Sequence, residues 1–217
     1  MSIYYSRDAM TEWIDKSKIA SSELSKLGLG EKEKLHEESR YVLLTERTLL
    51  DLIMGMRDVL REGAAALLYH AFKKAAIRRF SSLLEDLKKF RMKELKVEEY
   101  ALKAGDYKTI LNEVVELYKF EGYAQDVQIK LDKEKESILL TYKGSLAHRL
   151  IKLCEKEKLT PPTEEVLSLV KGCVAGTFSA LVGEDIDVRE ARIEPSGDVV
   201  VALPKEIFAK VAERITA

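Results

Sequence analysis

Apolar side chains recur every three or four positions from Ala64 through Leu67, Leu68, Ala71, Phe72 and Phe80 to Leu87. That spacing holds them on one face of a helix and predicts a long one over Ala64 to Phe90. At ~1.5 Å per residue it would run roughly 40 Å. Its first half is rich in alanine, which lets a second backbone come close. Upstream, Leu49, Leu50, Ile53, Met54, Met56, Val59 and Leu60 predict another helix with a broad apolar face, capped by Thr45; Gly63 either interrupts it or lets it pass close to a neighbour. Further amphipathic stretches predict helices from Asp106 (as N-cap) to Phe120, from Ser145 to Lys158, from Thr163 to Gly183, and after Pro204.

Elsewhere the period drops to two. Val127, Ile129 and Leu131 alternate with polar residues, as do Ile138, Leu140 and Tyr142, with the charged link DKEKE between them. This predicts an antiparallel hairpin with one buried face. A second hairpin is predicted from Ile186 to Ile193 and from Val199 to Leu203, around Pro195, Ser196, Gly197 and Asp198. RYVLLT at 40–45 predicts one more short strand. Two hairpins separated by helices imply an α+β fold: an antiparallel sheet of four or five strands with helices packed on one face. No strand–helix–strand alternation supports a doubly wound sheet or a barrel.

Residues 1–39 are weakly amphipathic, with Met10, Trp13 and Ile14 on one face, and the two glycines of KLGLGEKEK break the pattern. They read as an N-terminal helical extension, leaving 40–217 as the α+β domain.

Composition narrows the function. A net charge of -1 argues against a general nucleic-acid binder, which needs excess cations to displace counterions from phosphate. The charge is uneven, however. Residues 73–96 hold nine basic side chains against three acidic ones, while residues 160–203 hold eight acids against three bases. Lys73, Lys74, Arg78 and Arg79 therefore form a candidate docking surface for an acidic partner or for the acidic region of a second copy. A solvated helix face is the plainer alternative. The apolar run AAALLY at 64–69 is far shorter than a bilayer span. With two scattered cysteines and no basic-then-apolar start, a soluble cytoplasmic protein is expected, with no membrane span. One Asn and two Gln beside 34% charged residues match proteins that work hot.

Candidate chemistry is sparse. His36, His70 and His148 are too scattered for a metal motif. Cys173 lies inside an apolar helix and reads as a buried thiol. Gly172, Gly176 and Ala180 form a small-residue stripe on that helix and predict close packing against a neighbour. Tyr69, Phe72, Phe80 and Phe178 are the aromatics best placed to line an internal cavity, with core filling as the alternative use. No catalytic residues, metal or cofactor are assigned.

The segment LREGAAALLYHAFKKAAIRRF (60–80), the preceding RYVLLTERTLLDLI, the hairpin 124–142 and GCVAGTFSALVGEDIDVREARI (172–193) occur in an order that resembles the 4-vinyl-reductase (4VR) type domain. That group is similar in structure to subunits of the TRAPP vesicle-tethering complexes and to haem-based nitric-oxide sensors. The resemblance covers roughly residues 40–203. It implies a domain that often dimerises, and a pocket between helices and sheet for a small hydrophobic ligand. It also implies sensing or scaffolding more often than catalysis. Many such domains carry a cysteine pair around the last hairpin, and ARIEPSGDVVVAL has none. The TRAPP relatives carry an acylated cysteine beyond the long helix, and 81–105 has none. The expectation is a non-enzymatic homodimer of an archaeal-type 4VR-like domain that binds a small apolar ligand or a partner protein. Two alternatives stand beside it: an accessory subunit of a tetrapyrrole-modifying reductase, and a purely structural adaptor.

Overall fold

A computed structural model describes residues 45–132, 134 and 136–216. The described residues fall into two units, 86–100 and 45–85 with 101–216. The predicted extension 1–39 and the strand residues 40–44 lie outside the described residues.

Six helices and four strands are described: α1 (Glu46–Leu60), α2 (Gly63–Leu95), α3 (Ala104–Phe120), β1 (Asp126–Asp132), β2 (Ser137–Lys143), α4 (Leu146–Glu157), α5 (Thr163–Val182), β3 (Glu190–Ile193), β4 (Val199–Ala202) and α6 (Lys205–Thr216). The sheet is antiparallel throughout, in the order β1-β2-β4-β3. Its register carries one apolar row across all four strands: Val127 opposite Tyr142, Tyr142 opposite Val199, and Ile193 opposite Val199. A second row joins Ile129, Leu140, Val201 and Ala191. Directly paired residues share a face, so these rows form one buried side, which α3, α5 and α6 cover. Gln128, Lys130, Lys143 and Arg192 occupy the other side.

Helix α5 is the centre of this layer. Fifteen of its twenty residues are buried. It is long and apolar enough to cross a membrane, yet 83% of that apolar window is buried inside this fold. Its hydrophobicity on all sides is therefore that of a core helix enclosed by other elements. Gly183 ends it in the left-handed region at φ 78°, where a side chain would be strained, and its N–H bonds to Ser179 O at 2.8 Å.

Several boundaries differ from the pattern. Helix α2 continues past Phe90 because Arg91 to Leu95 are good helix formers. It stops only where Lys96 turns to φ 54° and Val97 N–H bonds back to Met92 O at 3.1 Å. Asp106 is not the N-cap of α3. The helix begins two residues earlier, and the Asp106 carboxylate reaches back to accept the Lys103 N–H at 2.9 Å. The strand expected from Ile186 shrinks to Glu190–Ile193 because side chains claim the backbone before it. Ile186 N–H bonds to Ser179 Oγ at 2.9 Å, and Val188 N–H to the Tyr69 hydroxyl at 3.1 Å. Thr45 does cap α1, its hydroxyl accepting from Thr48 N–H at 3.0 Å.

Candidate functional site

The site arises from how α2 meets α5. A Cβ on Gly172 would strike the carbonyl oxygen of Tyr69. One on Gly176 would strike that of Lys73 and come within 2.7 Å of Ala76 Cβ. The two backbones touch along this seam, as the small-residue stripe predicts. The next residues on α5, Cys173 and Thr177, are turned about 100° away. There side chains of α2, α3 and α5 surround a common space. The result is a cavity of about 120 Å³.

Helix α2 supplies Phe72, Ala75, Ala76, Arg79 and Phe80 to its wall. Helix α3 supplies Val114, Leu117 and Tyr118, with Glu121 and Tyr123 from the turn after it. Most of this surface is aromatic or aliphatic, and the polar groups gather at two places.

One is a hydroxyl cluster. The Tyr118 hydroxyl lies 2.7 Å from Thr177 Oγ1, and Thr177 donates to Cys173 O at 2.9 Å. The Tyr123 ring stands edge-on to Tyr118 at 5.6 Å, and Tyr142, from β2, tilts toward Tyr118 at 6.0 Å. The buried Tyr142 hydroxyl has no hydrogen-bond partner among the described residues. Burial pushes the Tyr118, Tyr123 and Tyr142 hydroxyls up, because a phenolate has no water there to solvate it. Burial likewise drives the Cys173 thiol up to about 12. All four groups are neutral at pH 7. They offer hydrogen bonds and no nucleophile, since thiol reactivity needs the thiolate.

The other polar feature is an ion pair in the wall. Arg79 donates to the Glu121 carboxylate, and their side chains are 38% and 19% exposed. Glu121 caps the C-terminus of α3, where the helix dipole disfavours a carboxylate, so the guanidinium offsets an otherwise poor placement.

The cavity brings together Phe72 and Phe80 of the four predicted aromatics. Tyr69 stands outside the wall. Its hydroxyl donates to Asp187 at 2.9 Å and accepts from Val188 N–H. Phe178 is fully buried in the core, also outside the wall. Of the basic cluster, Lys74 and Arg78 are exposed. Lys73 is buried, and its ammonium binds Asp185 at 2.8 Å and Asp187 at 2.6 Å. Arg79 belongs to the cavity wall. Tyr118, Tyr123, Thr177 and Glu121 also line the cavity, and no sequence pattern singles them out. Tyr118 sits in the apolar stripe of α3 with Ile110, Leu111 and Val114, and Tyr142 in that of β2. Each reads locally as core, and their convergence exists only in three dimensions.

A larger hollow of about 620 Å³ lies elsewhere, lined by Asp187, Arg189, Glu190, Lys205 and Glu206 beside Leu203. Its charged side chains are exposed. It is a charged groove at the sheet edge without buried polar groups, so the largely apolar cavity between the helices is the better ligand site. Among the described residues no group of three His, Cys, Asp or Glu side chains could hold a metal.

Neither a protein-family model nor a curated protein sequence matches the chain. Its fold is similar to a crystal structure of the phenol-responsive sensory domain of the transcription activator PoxR with phenol. The TM-score is 0.52 at 16% identity, covering 83% of this chain and 86% of that one. At that identity the likeness is one of fold. The class is thus an α+β domain of the architecture used by a small-molecule sensory domain.

Proposed function

We propose that this chain is a non-enzymatic sensor domain of the 4VR type that binds a small aromatic molecule between α2, α3 and α5. The observation that carries the reading is the cavity itself, an apolar chamber of about 120 Å³ with neutral hydroxyls at one end. An apolar cavity of ~150 Å³ accepts benzene in another protein, so a single substituted ring is the right scale. A tetrapyrrole is far too large for it, which disfavours the reductase-subunit reading. The fold shared with a domain described as phenol-responsive supports the same ligand class.

The proposal includes a homodimer. Leu52 and Val59, one heptad apart on α1, are 54% and 80% exposed and offer an apolar face for a second copy. Sedimentation of the wild-type protein tests this part, and a monomer at all concentrations removes it. A cytoplasmic location is also part of the proposal.

The central test is calorimetric titration with phenol. Saturable binding is expected, together with a thermal stabilisation of ~2.7 kcal/mol at phenol 100 times its Kd. Val114→Phe places a ring in the chamber and is expected to abolish both effects while the circular dichroism stays native. A flat titration of folded wild-type protein sinks the reading.

A further inference from the structure

The charged side chains in the cavity wall are one guanidinium and one carboxylate, and each faces the other. Glu121 is four-fifths buried, so its charge is poorly screened from anything inside the chamber. The remaining polar groups, Tyr118, Tyr123, Thr177 and Cys173, are neutral and serve as donors or acceptors. A neutral ring carrying a hydroxyl finds both an apolar bed and hydrogen-bond partners here. A carboxylate of the same size must shed its water and approach Arg79 past a carboxylate already bonded to it, and desolvating an anion without such a partner is costly.

We propose that the Arg79–Glu121 pair is a charge filter, with Glu121 the residue that makes the cavity select neutral hydroxylated aromatics over aromatic carboxylates. The inference rests on the reading of this cavity as the ligand site. It goes beyond that reading by assigning the selectivity to one side chain. Phenol and benzoate share the same ring but differ in charge at pH 7, since a phenol ionises near pH ~10 and a carboxylic acid near pH ~4.

The experiment is calorimetric titration of phenol and of benzoate at pH 7 into the wild type and Glu121→Gln. Wild-type protein is expected to bind phenol at least ~10-fold more tightly than benzoate, a difference of ~1.4 kcal/mol. Glu121→Gln keeps the side-chain shape and removes the charge, so the ratio of phenol to benzoate affinity is expected to fall at least ~10-fold. The swap Arg79→Glu with Glu121→Arg keeps the wall neutral and is expected to restore the phenol preference. It also serves if the single variant does not fold. Wild-type protein that binds phenol and benzoate equally overturns the filter and leaves the ligand site standing. An unchanged preference in folded Glu121→Gln, or a lost one in the folded swap, overturns it too. Wild-type protein that binds neither overturns the site, and the filter with it.

Discussion

Two faces of α5, one residue apart in sequence, behave in opposite ways. Gly172 and Gly176 lie against the α2 backbone with no room for a methyl group. Cys173 and Thr177 look into a chamber. The contrast shows how a cavity survives inside a well-packed layer. The glycine seam locks α2 to α5 at one separation, which neither helix can shorten further. The wall carried by Phe72 and Phe80 then stands at a fixed distance from Thr177, and α3 bridges the gap. The seam supplies stability, and the face beside it supplies function.

The largest effect should come from breaking the seam. Gly176→Val would push its side chain into Lys73 O and Ala76 Cβ, neither of which can rotate away. Overpacking against backbone is expected to cost about 3 kcal/mol, read as a lower urea midpoint. Phenol binding should fall with it, because the wall moves. A variant as stable as wild type would mean that the two helices slide freely, and the contrast between the faces would dissolve.

A smaller effect tests the latch beside the seam. Burial pulls the Lys73 ammonium down, but its bonds to Asp185 and Asp187 outweigh this and hold it above its ordinary 10.5. Bonds from Lys73 and Tyr69 hold the Asp187 carboxyl below its ordinary 3.8. Lys73→Met keeps the apolar stem and should cost about 1 kcal/mol, since both partner carboxylates are well exposed and screened. The signs fix the pH window. Asp187 contributes stability above 3.8, lost as pH falls through its depressed value. Lys73 contributes below 10.5, lost as pH rises through its raised value. The gap in urea midpoint between wild type and variant should be widest near neutral pH and close at both extremes. A gap independent of pH would reduce the latch to packing alone.

The seam was legible in the sequence, and the chamber only in part. Glycines four residues apart on an apolar helix, facing an alanine-rich one, state a close approach in local terms, as do the alternating hairpins and the turn at Gly197. The chamber depends on where α3 lies, and no local pattern encodes that. Phe72 and Phe80 follow from their place on α2. Tyr69, three residues from Phe72, instead points to the loop that Asp187 and Val188 occupy, a difference of rotation that periodicity alone leaves unresolved. Lys73 and Arg79 looked like surface charges because their acidic partners lie 114 and 42 residues away. The missing strand residues 186–189 have the same origin: Ser179 and Tyr69, from two other elements, take backbone donors that a ladder would have used.

The smallest effect concerns the chamber side. The hydroxyl of Tyr142 is buried at 2% exposure and has no hydrogen-bond partner among the described residues. A buried donor left unpaired costs more than its removal, because the group lost its water on folding and gained nothing in return. Tyr142→Phe keeps the ring against Tyr118 and deletes only the oxygen. It should stabilise the protein by about 0.5–1 kcal/mol, seen as a higher urea midpoint. Phenol affinity should not change, because Tyr142 stands behind the wall and not in it. Substitution at the seam should lower stability and binding together, while this one should raise stability and leave binding alone. A loss of 1 kcal/mol or more on Tyr142→Phe would show that the oxygen has a bonding partner such as an ordered water. The hydroxyl cluster would then extend behind Tyr118, and the chamber side would be as fully satisfied as the seam.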